Sequence, residues 1–415
     1  MIKIFYGWWI VVACFIFCFL IGGIVFASFT AFFDPLIREF GWSYTQVSFA
    51  FSLRGFEMSL FAPLLGFLIG RFGTRNLIFS GVIIVGLGLI LLSTTESLPM
   101  FYGAFLFMSL GAGGCGGVVT MAAVSNWFNK NIGKVLGIAS SGYGASGLVV
   151  PIVVWLIDTY KWRPTLVILG IVVLLLCIPL SLVIRERPED YGYLPDGLPI
   201  GEPVTNIEHE VKEVKIGLKE VLKHKSFLSL VVIDIIRQMM ISTIALHVIP
   251  YLSSKGIARM TAGIVTATFP FLSIVGRLLF GWMGDMYDKR YTLALAFFFV
   301  ALGFLFFCYV DHSWAMLAFL IFFSIGLGAT MVTERTVLRA YFGREYFGRL
   351  LGIIMGFASV GGIVGPTFAG GVFDTLRSYI SVWLLYCGCS VFAMLLALRM
   401  KPVAAGKDSP FKSIN

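Results

Sequence analysis

Gly66-Phe-Leu-Ile-Gly70-Arg71-Phe-Gly73-Thr-Arg75 and, 215 residues later, Gly281-Trp-Met-Gly-Asp285-Met-Tyr-Asp288-Lys289-Arg290 are two versions of one segment. The same offset relates Pro35 to Pro250, Gly41 to Gly256, Gly111 to Gly326, Gly113 to Gly328, Gly133 to Gly348, Gly137 to Gly352, Gly147 to Gly362 and Pro151 to Pro366. Half of 415 residues is about 208, so one half of the chain is an old copy of the other. Internal duplication in a very apolar chain is the mark of a secondary transporter, in which two similar halves rock around a central site.

Composition agrees. Hydrophobic residues make up 58% of the chain and charged residues 13%, with a mean hydropathy of +0.92. Water-soluble domains hold about 45–50% and about 25%, so this much apolar surface has nowhere to hide in water. The seven cysteines all fall in apolar runs, without disulfide or metal spacing, and read as small packing residues. No metal or other cofactor is expected.

A helix needs about 20 apolar residues to cross a bilayer. Twelve such stretches are expected: 8–36, 44–70, 77–95, 99–126, 133–157, 163–185, 226–252, 259–284, 291–310, 313–342, 346–373 and 379–399. The first is too long for a signal peptide and lacks a cleavage site. With the N-terminus inside, twenty Lys and Arg fall on the inner side and six on the outer. The excess places both termini in the cytoplasm of a cell or inner membrane. It also accounts for the net charge of +9 without a nucleic-acid partner.

The expected organisation is a six-helix bundle at 1–185, a cytoplasmic linker at 186–225, a second bundle at 226–400 and a tail at 401–415. Residues 187–197 are rich in Pro, Gly and acid and read as irregular chain. Val211, Val214, Leu218, Val221 and Leu222 have helical spacing, which suits either a short amphipathic helix on the membrane surface or a solvated spacer.

Gly111-Ala-Gly113-Gly-Cys-Gly116 matches G-x-G-x-x-G, but no strand precedes it and no acid follows about 20 residues later, so close helix packing is the better account. No phosphate loop, HExxH or G-x-S-x-G occurs, and an enzyme is not expected.

The telling residues are charges within the spans, each costly in a bilayer unless paired or hydrated. Arg54 and Glu57, and Asp234 and Arg237, stand at i, i+3 and read as self-neutralising pairs. Arg277 has no acid at i±3 or i±4. A guanidinium left free suits a substrate carboxylate, which it grips with two parallel hydrogen bonds; a salt bridge to Glu334 is the plainer alternative. His247 and Glu334 are the candidate proton sites, with Asp234 a third.

The repeated segment resembles the loop signature of the major facilitator superfamily: glycine, three residues, acid, base, any residue, glycine, then bases. Gly70 stands in the acidic place of the first copy, so a gate latch of Asp285 and Arg290 is the stronger expectation, with Arg71 and Arg75 as the weaker counterpart. The stretch Phe271-Leu-Ser273-Ile-Val-Gly-Arg277-Leu-Leu-Phe-Gly281 is similar to helix 8 of the monocarboxylate transporter family and its bacterial relatives. So are Tyr6-Gly7-Trp8-Trp9, Phe128-Asn-Lys130 with Gly137-Ile-Ala139-Ser-Ser-Gly142, and Gly365-Pro366 through Asp374. The resemblance implies that Arg277 binds the substrate carboxylate. Animal members carry an acid where Ser273 stands and a lysine where Ala27 stands, so their proton-coupling scheme does not transfer.

The expectation is therefore an all-α membrane protein with twelve transmembrane helices in two pseudo-symmetric six-helix bundles, the major facilitator fold. It is expected to act as a monomer that moves a small carboxylate, of lactate or pyruvate type, together with a proton. Ser273, Tyr143, Phe29 and Phe33 are expected to help line the path. An organic-anion exchanger of oxalate and formate type is the alternative, and a drug exporter is third.

Overall fold

The computed structural model describes residues 5–197, 218–376 and 378–401. Labels follow the chain: α1, Gly7–Phe40; α2, 44–72; α3, 74–93; α4, Leu98–Ser125; α5, Ile132–Tyr160; α6, Trp162–Val183; α7, Lys225–Ser254; α8, Arg259–Met286; α9, Lys289–Phe307; α10, Ser313–Phe342; α11, Phe347–Leu376; α12, Ile380–Arg399. Among the described residues, eleven helical runs are long and apolar enough to span a membrane. The run Tyr44–Ser93 breaks at Gly73 (φ 77°, ψ 166°), which makes twelve.

Only glycine takes such a φ without strain, so the repeated segment turns the chain there. Gly41 and Gly256, a pair at the 215-residue offset, both have positive φ and follow the ends of α1 and α7. In α1 regularity fails: the α-helix ends at Ile21, a π-helix covers Gly22–Ala27 and a 3₁₀ turn covers Phe29–Phe32. Of the expected surface helix, Leu218–Lys223 is helical with Val221 buried, while Val211 and Val214 lie outside the described residues.

The bundles α1–α6 and α7–α12 pack internally by related contacts. A Cβ at Gly111 would strike the Val85 nitrogen, and one at Gly326 the Val300 nitrogen, the same pair shifted by 215. Between bundles, α5 crosses α8 and α2 crosses α11, again as copies. A Cβ at Gly281 would lie 2.5 Å from the Gly133 carbonyl oxygen, and one at Gly66 would lie 2.9 Å from that of Gly348. Gly137 lies on the Arg277 carbonyl and Gly352 on the Ala62 carbonyl. In lipid, helices gain nothing by hiding apolar surface from water, so such small-residue contact is what holds them together.

These contacts lie toward the end that carries residues 5–6, 186–197, 218–224 and 400–401, termed the basic end below. On the same interface helices, Gly55, Gly263 and Gly371 have open space where a side chain would stand. The backbone contacts between the bundles are therefore concentrated at the basic end.

Gly137→Val is expected to lower the thermal midpoint of the detergent-purified protein by several degrees, since its Cβ lies 2.6 Å from the Arg277 carbonyl and overpacking costs about 1–3 kcal/mol. Gly103→Ala, with nothing within 4 Å, should leave the midpoint unchanged or raise it slightly.

Candidate substrate site

Three charged residues gather inside the second bundle. The Arg237 Nε donates to Asp234 Oδ1 at 2.8 Å and to Glu334 Oε2 at 3.0 Å, and its Nη2 donates to the same Asp234 oxygen. Asp234 is thus paired on its own helix as its spacing suggested, and Glu334 of α10 joins it. One guanidinium serves two carboxylates, and Glu334 Oε1 and Arg237 Nη1 are buried without partners among the described residues.

Arg277 stands apart from this cluster. It is buried at 5% exposure, its Nη1 donates to the Ser140 carbonyl of α5 across the bundle interface, and its Nη2 reaches the Met331 sulfur at 3.4 Å. Its Nε has no partner, and no carboxylate pairs with it among the described residues. Glu334, the plainer alternative partner, is taken by Arg237.

The expected wall residues divide. Tyr143 packs against Gly22 of α1 and Gly117 of α4, near Cys18, Arg277 and Arg335. Phe33 is half-buried, edge-on to Phe29. Phe29 itself turns away: at 2% exposure it packs edge-on against Phe105, 4.6 Å between centroids, and stacks on Phe101 of α4. The π and 3₁₀ segments of α1 shift the helical register, so a face read at 3.6 residues per turn is wrong there. Ser273 also faces protein, with its hydroxyl bonded to the Pro270 carbonyl at 2.7 Å and its own carbonyl against Gly328 of α10.

His247 is held within the second bundle. Nε2 lies 3.1 Å from the Pro366 carbonyl and Nδ1 lies 3.0 Å from the Tyr379 hydroxyl. A carbonyl only accepts, so Nε2 carries the proton and Nδ1 accepts from Tyr379 in the neutral form. The expected Arg54–Glu57 pair does not form. Arg54 donates to the Val25 carbonyl at 3.2 Å and lies 3.5 Å over the Phe26 ring, because the π-helix of α1 presents that carbonyl to it. Glu57 keeps Ser109 as its hydrogen-bonding neighbour, and its Oε2 is buried without a partner among the described residues.

At the basic end Asp285 bridges the bundles, accepting from the Gly133 and Lys134 amides at 2.7 and 2.8 Å, the exposed start of α5. Arg290 does not bridge: it pairs with Asp288 at 2.8 Å and reaches Met400, both in its own bundle. Arg71 and Arg75 are exposed, with no ion pair among the described residues. Arg349 fills the space over Gly70, where the first copy lacks its acid.

The linker supplies further acids. Glu186 accepts from the Thr74 and Arg75 amides, Asp196 from those of Asn129 and Lys130, and Glu189 pairs with Arg344 of the second bundle at 2.6 Å. Burial works against the Glu189 charge, but hydrogen bonds and the Arg344 guanidinium outweigh it and hold the carboxyl below its usual range. A depressed carboxyl stabilises fully above its unfolded value and loses that contribution as pH falls through the folded one. Arg344, Arg349 and Glu189 were missed because each acts across the interface, although Lys134 and Arg349 are a pair at the 215-residue offset.

Residues 14–247 and 227–414 match the Major Facilitator Superfamily model. Monocarboxylate transporter 12 of Rattus norvegicus is 27% identical over 94% of this chain and 84% of its own length. Monocarboxylate transporter 7 of Homo sapiens is 24% identical over 96% and 87%. The fold is similar to the E. coli fucose:proton symporter (TM-score 0.71, 14% identity, 94% of this chain, 97% of that one) and to the human organic anion transporter MFSD10 (TM-score 0.71, 12% identity, 94% and 99%).

Asp285→Ala is expected to speed hydrogen exchange at the Gly133 and Lys134 amides several-fold, as loss of a helix cap of about 1 kcal/mol implies. Lowering pH below the ordinary glutamate value near 4.5 should likewise speed exchange around residues 186–197 in the unaltered protein but change it less in Glu189→Gln. With two similar bundles of six membrane-spanning helices, matched along nearly its whole length, the chain belongs to the Major Facilitator Superfamily and is a multi-pass membrane transporter related to the monocarboxylate transporters, not an enzyme.

Proposed function

We propose that this transporter moves a small monocarboxylate of lactate or pyruvate type together with a proton, by alternating access, with Arg277 as the carboxylate anchor. The observation that carries the reading is a guanidinium without a carboxylate partner at the contact between the two bundles. Its present acceptor is the Ser140 carbonyl, a neutral group that a carboxylate displaces with a stronger, charge-assisted pair of bonds. Because Arg277 touches α5 and belongs to α8, an anion bound there acts on both bundles at once.

The proton belongs to the Asp234–Arg237–Glu334 cluster. Two carboxylates share one guanidinium inside the membrane, with Arg335 lining the same cavity as these three groups, and a proton on one carboxyl relieves the repulsion between the two acids. His247, satisfied by Pro366 and Tyr379, is the second proton candidate. The basic end faces the cytoplasm of a cell membrane, as the distribution of Lys and Arg implies. Exchange of anions is the second reading, favoured by the positive charge that an empty centre keeps at Arg277 and that opposes closure.

Uptake of labelled lactate into proteoliposomes is expected to rise under an inward proton gradient. Arg277→Lys should lose at least about tenfold of it, since a lysine cannot grip a carboxylate at two points. Glu334→Gln should abolish the response to the gradient. Uptake indifferent to the gradient yet dependent on an internal anion would establish exchange instead, and full uptake by Arg277→Lys would remove the anchor.

A further inference from the structure

Arg335, next to Glu334 in the chain, is used by none of the ion pairs described above. Adjacent residues on a helix point about 100° apart, so Glu334 reaches Arg237 of α7 while Arg335 lies at the edge of the same cavity, within electrostatic range of Arg237 and Asp234 on α7 and also of Tyr143 on α5 and Cys18 on α1. It has no hydrogen bond or salt bridge among the described residues. Unlike Arg277, Arg237 and Arg339, it has no guanidinium nitrogen that is both buried and unpartnered, and its side chain is partly exposed. A free cation in the middle of a membrane helix has to face water or a ligand.

Its place relative to Arg277 is defined. Arg277 is nine residues from the basic end of α8 and Arg335 seven from that of α10, a difference in depth of about 3 Å at 1.5 Å per residue. Met331, which touches the Arg277 guanidinium, is at i−4 from Arg335 and shares its face. The two guanidinium groups also lie within electrostatic range of each other, and each is without an ion pair among the described residues, so they stand near one another at one level on two helices of the second bundle.

We infer that Arg335 is a second anion-binding residue, and that the site takes a carboxylate bearing another acceptor group close by, a 2-oxo acid or a short dicarboxylate, in preference to a plain aliphatic carboxylate. This rests on the Arg277 reading above and adds specificity to it. Arg277 holds the first carboxylate and Arg335 the second acceptor. With a proton on the acid cluster, Arg277 and Arg335 leave two positive charges, which a single carboxylate offsets only in half. A second acceptor left unpaired, or a guanidinium left without one, loses a charge-assisted bond.

The test is counterflow in proteoliposomes at one pH, with labelled propionate, pyruvate and malonate, for the unaltered protein, Arg335→Gln and Arg335→Lys. The unaltered protein should prefer pyruvate or malonate to propionate. Arg335→Gln should cut the preferred substrate at least about tenfold and propionate far less, with propionate counterflow showing that the variant folds. A larger fall for malonate than for pyruvate identifies the dicarboxylate, and the reverse identifies the 2-oxo acid. If Arg335→Gln abolishes all counterflow, Arg335→Lys decides: recovery with altered preference supports the inference, and recovery with unchanged preference, or no recovery, overturns it. No preference in the unaltered protein, or an equal fall for all three anions, also overturns it while leaving Arg277 as anchor. No counterflow of any carboxylate by the unaltered protein overturns both.

Discussion

Backbone laid on backbone at Gly133 and Gly281, and again at Gly66 and Gly348, is the contact on which this structure depends. Water does not press these helices together inside a bilayer, so the bundles cohere where main chains come close enough for dispersion and polar contact. The two contacts are copies related by the 215-residue offset, and Arg277 occupies in one the place that Ala62 occupies in the other. A packing position in the ancestral half has become a charged one in its duplicate. Any anion held there is held at the seam itself, which is how binding can bias the arrangement of two whole bundles.

Charge inside the second bundle is partitioned between two tasks. Arg237 is consumed by Asp234 and Glu334, two acids crowded on one guanidinium in a buried cluster suited to a proton. Arg277 and Arg335 have no ion pair among the described residues. The first bundle contributes a different arrangement: Arg54 is quieted by a carbonyl of the π-helix in α1 and by the Phe26 ring, and Glu57 rests beside Ser109. The irregular middle of α1 thus has an electrostatic consequence, because the π-helix sets the Val25 carbonyl and the Phe26 ring against the Arg54 guanidinium.

The basic end shows how a duplicated device survives unequal editing. The second copy keeps Asp285 to cap α5 and Asp288 to cap α9. The first copy has glycine at both places, and the linker makes good the loss: Glu186 caps α3 where Asp288 caps α9, while Arg349 occupies the room over Gly70. Glu189 with Arg344, and Arg339 with Asn129, then tie linker and first bundle to the second. Closure at this end comes from both halves and from the chain that joins them.

Twelve spans, the duplication and the isolation of Arg277 were legible in the sequence, because bilayer thickness fixes the length of an apolar run and the spacing of charges along one helix shows which lack a local partner. The 215-residue pairs located the contact glycines but not which glycine met which. The sequence could not assign Glu334 to Arg237 over Arg277, turn Phe29 and Ser273 into protein, or part Arg54 from Glu57. Each of those depends on which faces two distant helices present to one another, and on a local change of helical pitch in α1 that no periodic reading anticipates. What a helix must do to cross a membrane is written along the chain; which of its charges remain unpaired is decided only when the bundles are assembled.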